Sequence, residues 1–349
     1  MRQAYIKILC IVALVFLAPP HCQKYFTEDN PFGMHSARCV LLLDDYRSNR
    51  ISYSTGFNYE VLRAVGDMSL VDFEITLGDG YSHEYWLDAL TAGEVDMLVM
   101  PAADTCIHRR TDLKFSPLMA DGAVWVTSVS SRLAVNSLYL NISRIKNSSY
   151  YKALQERFEP KYEPYSRAAR GYKYKYASPY DSLIKDASKE LGWDWRMLAA
   201  LIWQESMFRI EAHSKRGALG LLQLMEQTAI AYNGSPERLE PESNLAAGTK
   251  YLKKLQRMFA ADASTPEELV HFVLAAFNAG EGRIKDCIQY AASKGLPHST
   301  WADLKRVIPM MRDTVAVDSL RLGVFKGVET IAHVDRTDSL YRAFCIIAP

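Results

Sequence analysis

The sequence predicts two folded domains in tandem, an α/β domain followed by an all-α domain. A chain of 349 residues is long enough for two domains once a leader is removed. Short apolar strands alternate with helices from Cys39 to about Ser131, whereas from Ser178 onward the pattern is almost entirely helical. Between these regions, Lys161–Tyr176 is rich in Tyr, Lys, Arg, Pro and Gly and poor in aliphatic residues, which is typical of a linker.

The first 22 residues predict an export signal. Arg2 and Lys7 are basic, and about 11 apolar residues follow, from Ile8 to Ala18, which is shorter than the roughly 20 that cross a bilayer. Cys22 follows where a lipidated cysteine would lie, but the residues before it, Pro-Pro-His, make a poor lipidation site. Lipid anchoring and simple secretion therefore both stay open. We expect an exported, periplasmic protein, whose one route to the outer membrane is a lipid anchor at Cys22.

The α/β domain is predicted over residues 36–160, followed by a linker over 161–177. Val71–Leu77 alternates apolar and polar residues, as a strand with one buried face does. Gly93 closes a predicted helix because glycine adopts the left-handed C-terminal conformation readily. Strands separated by helices of this size predict a partly parallel sheet. The strands are expected at Cys39–Leu43, Val71–Leu77, Val95–Met100 and Val124–Val129, and the helices at Gly56–Val65, Glu84–Ala92 and Tyr151–Phe158.

The all-α domain is predicted over residues 178–345. Gly192 stops one helix, and Asp194 is a plausible N-cap for the next, since its side chain can accept a hydrogen bond from a first-turn N–H. The helices are expected at Tyr180–Leu191, Asp194–Gln204, Gln227–Tyr232, Asn244–Phe259, Pro266–Phe277 and Arg283–Ala292.

Composition and cysteine spacing restrict the classes of partner and cofactor that the protein can have. With 49% apolar and 23% charged residues the chain is globular, and 41 basic against 40 acidic residues argue against a nucleic-acid partner. Outside the leader and Cys22, four cysteines remain, and Cys39–Cys106 and Cys287–Cys345 are the natural disulfide pairs. Four free thiols are an equal alternative. Because no CxxC occurs and the histidines are scattered, we expect neither a metal nor a cofactor.

A carboxylate at the end of an apolar helix is the main chemical signal. Trp195–Trp203 is apolar on nearly all sides and is therefore expected to be buried, and Glu205 follows directly. Burial disfavours the ionised form of a carboxyl group, and a protonated carboxylic acid in an apolar cleft is what cleavage of a glycosidic bond needs. Taken alone, a carboxylate at an exposed helix end is the simpler interpretation.

Further motifs favour the chemical interpretation. After Glu205 come GALGLLQLM at 217–225, NLAAGTKYL at 244–252 and AAFNAGEG at 275–282. In this order they resemble the lysozyme-like domain of the soluble lytic murein transglycosylases, the SLT family, over about Ser178 to Val334. Trp301–Pro309 and GVETIAHV at 327–334 resemble the later segments of that family.

The resemblance implies roles for individual residues. Glu205 would be the sole catalytic acid/base, and the substrate is expected to be the glycan strand of peptidoglycan. The glycines of these motifs have a structural explanation in tight turns or close helix approach. The implied substrate-binding residues are Ser214, Gln223, Met225, Phe277, Asn278, Ala279 and Glu329.

The implied reaction follows from one carboxylate instead of two. Glu205 would protonate the oxygen between N-acetylmuramic acid and N-acetylglucosamine, and would then act as base on the C6 hydroxyl, which closes a 1,6-anhydro ring. A muramidase that uses water in the same cleft, and a non-catalytic peptidoglycan-binding or sensing protein, stay open as alternatives. The chain departs from the family pattern at Phe277 and His333, where the family has tyrosine, and at Glu226, where it has proline.

The α/β domain resembles one lobe of a periplasmic solute-binding module of the amino-acid type. The similarity lies in GFNYEVL at 56–62, WLDALTAGEVD at 86–96 and LKFSP at 113–117. Such a module before an SLT domain resembles the membrane-bound lytic murein transglycosylase F family, although the room here suffices for one lobe only. The resemblance implies a regulatory or wall-positioning role, with a muropeptide or another small molecule as ligand.

Overall fold

The computed structural model describes residues 35–43, 53–78, 80–159, 163–171, 173, 175–233, 239–312 and 324–348. These residues form two compact units. The first takes its residues from within 1–44 and 57–156, and the second from within 45–56 and 157–349. The predicted export signal and Cys22 lie outside the described residues.

A mixed five-stranded sheet forms the first unit, which confirms the predicted partly parallel sheet. The strand order is β2-β1-β3-β5-β4. Strand β1 pairs in parallel with β2 and β3, whereas β5 is antiparallel to β3 and β4. The central strands β3 and β5 are buried on both faces, and accordingly β3 is apolar throughout and β5 is apolar as far as Val126. The strands are β1 (His35–Leu41), β2 (Val71–Leu77), β3 (Met97–Pro101), β4 (Leu113–Phe115) and β5 (Ala123–Ser128).

The helices associated with this unit have recognisable start and stop signals. Ser82 caps the second of them by accepting a hydrogen bond from the Tyr85 N–H, and Gly93 ends it in the left-handed region at φ 78°. Leu87 and Leu90 of that helix pack with Leu98 and Val126 in the core. The helices are α1 (Ser54–Ser69), α2 (His83–Ala92), α3 (Val135–Lys146) and α4 (Ser149–Phe158).

Asp96 is a buried carboxylate of this unit, with 5% of its side chain exposed. One of its oxygens accepts the Arg38 backbone N–H at 2.8 Å, and the Arg132 guanidinium donates to both oxygens at 2.7 and 2.9 Å. Burial alone would raise the pKa of Asp96, but the hydrogen bonds and charges of the two arginines outweigh it and hold the pKa below its ordinary value. Asp96, the residue before β3, is therefore ionised at neutral pH and links β1 to the segment after β5.

The second unit is mostly helical, as predicted, and its helix ends lie within a few residues of the predicted ones. A two-stranded hairpin and three helices of its described part were not predicted. The helices are α5 (Pro164–Ala169), α6 (Asp181–Leu191), α7 (Trp195–Ser206), α8 (Glu226–Ala231), α9 (Pro241–Phe259), α10 (Pro266–Ala279), α11 (Glu281–Ser293), α12 (Trp301–Val307) and α13 (Val328–Ile347), and the hairpin strands are β6 (Ala218–Leu219) and β7 (Leu224–Met225).

The stretch predicted as a linker is partly folded. Its described residues include α5, which begins with Pro164 at the first turn, where the missing N–H of proline costs nothing. Helix α5 contacts α13. Aliphatic content was therefore a poor guide here, because a short helix can pack through proline and the stems of polar side chains.

The core of the second unit surrounds α7. Every residue from Met197 to Trp203 is buried, as its all-round apolar sequence predicted. Helix α13 packs along α7 and contributes Phe344, which is fully buried. Among the described helices, none is long and apolar enough to cross a membrane.

The four described cysteines are free thiols. The alternative of two disulfides, Cys39–Cys106 and Cys287–Cys345, is therefore wrong for this structure. Cys39 and Cys287 are fully buried, and burial together with nearby Asp286 raises the pKa of Cys287 to about 12. Buried thiols of this kind pack as small apolar side chains and are chemically inert.

Candidate functional site

Glu205 lies one residue before the end of α7, at the edge of the apolar core. The helix begins at the predicted cap, where the Asp194 side chain accepts the Arg196 N–H at 2.9 Å. In its last turn, Gln204 and Glu205 are partly exposed, whereas Trp203 and Ser206 on either side of them are buried. The Glu205 side chain is 17% exposed, so its carboxyl group is mostly withdrawn from solvent yet accessible.

The chain reverses immediately after this helix through two residues in the left-handed region. Met207 has φ 54° and Phe208 has φ 64°, which is unfavourable for residues with a Cβ. The Phe208 ring is fully buried, with its centroid 5.6 Å from that of Trp203 and 5.9 Å from that of Phe344. This packing holds the strained turn in place, as is common where a backbone must present a functional side chain.

His333 is the polar partner of Glu205. Its Nε2 lies 2.8 Å from Oε1 of Glu205, and only 6% of the His333 side chain is exposed. Its other ring nitrogen, Nδ1, is buried and has no hydrogen-bond partner among the residues that the structure describes. His333 is on α13, so a second helix holds the carboxyl group of Glu205.

Helix α13 also holds the end of α10. The Thr330 hydroxyl donates to Oδ1 of Asn278 at 2.9 Å. Thr330 and His333 are three residues apart and therefore share one face of α13. Because one touches Asn278 and the other Glu205, the two predicted site residues are placed by adjacent turns of the same helix.

Ser214 and Gln223 stabilise the hairpin between Glu205 and α8. The Ser214 hydroxyl accepts the Ala218 N–H at 2.9 Å, and Nε2 of Gln223 donates to the carbonyls of Ala212 and Gly220 at 2.9 and 3.0 Å. Gln223 has φ 44°, another strained position. Both side chains thus build the loop, and their contact with a sugar stays a prediction.

Asn244 on α9 attaches this hairpin to the helical core. Its Oδ1 accepts the Leu222 N–H at 2.9 Å, and its Nδ2 donates to the Leu219 carbonyl at 3.0 Å. Gly220 has φ 73°, and a Cβ there would lie 2.5 Å from Nδ2 of Asn244. The glycine at 220 therefore permits both the turn and the close approach of α9.

The remaining predicted residues lie at the surface of this region. Met225 is 46% exposed at the end of the hairpin, and Glu329 is exposed in the first turn of α13. Phe277 and Ala279 are half-buried near the end of α10, and the Phe277 ring lies 5.7 Å from that of Tyr251. Glu226, at the usual proline position, is the first residue of α8, where a carboxylate favours the helix dipole.

Sequence reasoning missed the contacts of His333, Thr330 and Asn244. His333 was noticed only as a departure from the family pattern, although that departure marked the residue that meets Glu205. The two residues are 128 positions apart, and local periodicity carries no information on such a pair. Asn244 lies within the motif at 244–252, but its two contacts with the backbone of the hairpin depend on the fold. No group of three potential metal ligands occurs among the described residues.

A family comparison covers the helices that build this site. Residues 182–298 match the model of the family described as Transglycosylase SLT domain. This part of the chain is an SLT domain. The four motifs that predicted it run from Glu205 to Gly282, inside the matched range, and the later segments around α12 and α13 continue the same helical unit.

Two relatives of the chain have the same name. Membrane-bound lytic murein transglycosylase F of Desulfosudis oleivorans is 27% identical over 290 residues, which cover 81% of this chain and 63% of that relative. The protein of the same name from Shewanella frigidimarina is 33% identical over 162 residues, 46% of this chain and 33% of the relative. The chain thus spans less than two thirds of either relative.

Among solved structures, the 70 kDa soluble lytic transglycosylase of Escherichia coli is similar to the chain. It is 22% identical, with a TM-score of 0.34, and the alignment covers 60% of this chain and 32% of that one.

Proposed function

We propose that this protein is a peptidoglycan lytic transglycosylase with Glu205 as its single acid/base. The observation that carries the proposal is a mostly buried, accessible carboxyl group at the end of an apolar helix within an SLT domain. The names of the relatives, lytic murein transglycosylases, agree with this assignment.

The proposed reaction needs one carboxyl group that gives a proton and takes one back. The Glu205 acid protonates the oxygen between N-acetylmuramic acid and N-acetylglucosamine, and the bond from C1 to that oxygen breaks. The carboxylate then accepts the proton of the C6 hydroxyl, whose oxygen closes on C1 and forms the 1,6-anhydro product. Attack within one sugar has a large effective-molarity advantage over attack by water. The position of Glu205 in a mostly apolar surrounding suits both steps.

The substrate is proposed to contact the hairpin, the end of α10 and the first turn of α13. Exposed Met225 and Glu329, and the half-buried Phe277, offer apolar and polar surface to a glycan. Ser214, Gln223, Asn278 and Ala279 complete the proposed binding set. The Thr330 hydroxyl joins the first turn of α13 to the end of α10, which supports a shared surface of these two elements.

The first unit and the leader belong to the same proposal. The sheet unit is proposed to be a one-lobe regulatory or wall-positioning module, with a muropeptide or another small molecule as ligand. The protein is proposed to be exported to the periplasm, with residues 178–345 as the catalytic domain and a lipid at Cys22 as the alternative to simple secretion. Mass spectrometry of the mature N-terminus distinguishes a lipidated Cys22 from a cleaved, unmodified end.

Product analysis tests the proposed function. Purified peptidoglycan is incubated with wild type and with Glu205→Gln, and the soluble products are identified by mass spectrometry. We expect anhydromuropeptides from wild type and none from Glu205→Gln at equal folded concentration. Reducing-end products from wild type would instead establish a muramidase. The absence of any product, with glycan binding retained, would establish a binding protein.

A further inference from the structure

The two ring nitrogens of His333 lie in different surroundings. Nε2 faces Oε1 of Glu205 at 2.8 Å, whereas Nδ1 is buried without a partner among the described residues. A buried N–H without an acceptor is more costly than a buried ring nitrogen that carries only a lone pair. The neutral ring with its proton on Nε2 therefore fits this environment best, and both the imidazolium and the other tautomer would place an N–H at Nδ1.

We propose that His333 is a positioning residue for the acid, as a neutral imidazole that donates from Nε2 to Oε1 of Glu205. This inference rests on the proposed function and deepens it. With Oε1 occupied as an acceptor, the acid proton of Glu205 is on Oε2. If the imidazole accepted instead, the acid proton would point at His333 and would be lost to the glycan.

The same hydrogen bond acts throughout the reaction without any change in the protonation of His333. When Oε2 gives its proton to the glycosidic oxygen, the carboxylate that forms already has a donor at Oε1. A hydrogen bond to an ionised acceptor is stronger than one to a neutral acid, so the bond strengthens as charge develops. When Oε2 takes the C6 hydroxyl proton, the starting arrangement returns.

The surroundings of the imidazole keep it in one orientation. His333 is in the interior of α13, so its backbone is held by the helix. Thr330, on the same face, is bonded to Asn278. Because α13 packs along α7, the ring is fixed relative to the helix that carries Glu205.

The test compares two substitutions at His333 with a matched control. His333→Leu removes the donor and leaves an apolar side chain of similar size, whereas His333→Gln keeps an N–H near the position of Nε2. Thr337→Val, one turn further along, removes a buried hydroxyl and leaves the imidazole in place. The rate of anhydromuropeptide release is measured against the concentration of soluble glycan strands, with thermal unfolding followed in parallel.

We expect His333→Leu to lower kcat about 10- to 100-fold with KM within about threefold, since a misaligned acid costs rate and leaves binding unchanged. His333→Gln should recover at least about a third of the lost rate on a logarithmic scale, and Thr337→Val should keep kcat within about twofold. A kcat for His333→Leu within twofold of wild type, an effect on KM alone, or equal losses for Leu and Gln at equal folded fraction would overturn the proposal.

NMR spectroscopy tests the hydrogen bond between His333 and Glu205 in the absence of substrate. Nitrogen-15 NMR of wild type labelled at histidine should show His333 with a protonated Nε2 and an unprotonated Nδ1 at neutral pH. A protonated Nδ1 would overturn the proposal whatever the kinetics. If wild type releases no product, the proposed function fails and the catalytic role of His333 fails with it. If wild type is active and the variants behave otherwise than expected, only the inference on His333 fails.

Discussion

Asp96 and Glu205 are two withdrawn carboxyl groups with opposite kinds of partner. Asp96, 5% exposed, receives the Arg132 guanidinium on both oxygens and the Arg38 N–H on one. Glu205, 17% exposed, receives one imidazole nitrogen. An arginine keeps its proton under all ordinary conditions and carries a full positive charge, whereas an imidazole can donate a hydrogen bond in its neutral form.

The difference separates a carboxylate used for structure from one available for chemistry. The arginines hold the pKa of Asp96 below its ordinary value, so its charge is fixed and links parts of the sheet unit. In the proposed arrangement, Glu205 keeps one oxygen for a substrate and has a neutral imidazole at the other. Burial and a short contact are common to both, so neither feature alone identifies the functional residue.

Substitution of the two carboxyl groups should affect the stability of the protein to different extents. Asp96→Asn should lower the free energy of unfolding by about 1–3 kcal/mol, because it removes a charge held by two arginines, which themselves stay largely solvated. Glu205→Gln should change it by less than about 1 kcal/mol, since residues at functional sites are seldom optimised for stability. Urea unfolding of both variants measures the contrast. Equal losses would mean that Glu205 is as structural as Asp96.

The sequence anticipated local elements and missed contacts over long distance. The bounds of β2 were predicted without error, and α7 was predicted with its cap at Asp194, because alternation, apolar content and capping are local signals. The hairpin was missed since strands of two residues are too short to show alternation. Helix α13 was seen only as a motif, and its pairing of His333 with Glu205 depends on how distant helices pack.

The hairpin at the site can be tested through its glycine. Gly220→Ala should cost about 2–3 kcal/mol and lower activity, because a side chain there is strained at φ 73° and meets Asn244. Gly192→Ala is the matched control, with φ 68° and nothing within 4 Å of an added Cβ. It should cost about 1 kcal/mol and leave activity unchanged. Equal effects of the two variants on stability and activity would contradict the role of the contact with Asn244.

Lowering the pH should reduce the difference in stability between wild type and Asp96→Asn. Because the folded pKa of Asp96 is lowered, its contribution to stability is complete above the ordinary pKa of about 4 and is lost as pH falls through the folded value. Urea midpoints measured from pH 6 to pH 3 should therefore converge at the acid end. A difference that stays constant over this range would contradict the fixed charge of Asp96.

The smallest expected effect is at Phe277. Phe277→Tyr restores the hydroxyl of the family pattern, but in the proposed arrangement the His333 ring, 2.8 Å from Oε1 of Glu205, already donates to it. We expect kcat/KM for anhydromuropeptide release to change by less than about threefold, well under the tenfold that 1.4 kcal/mol corresponds to. A tenfold or larger gain would mean that His333 does not replace the missing hydroxyl.

Product analysis of three proteins tests whether Glu205, and not Asp96, transfers the proton in glycan cleavage. Wild type, Glu205→Gln and Asp96→Asn are incubated with purified peptidoglycan at equal folded concentration, and the soluble products are quantified by mass spectrometry. We expect anhydromuropeptides from wild type and Asp96→Asn, and a loss of at least about a thousandfold for Glu205→Gln. Undiminished anhydromuropeptide release by Glu205→Gln would contradict this role of Glu205.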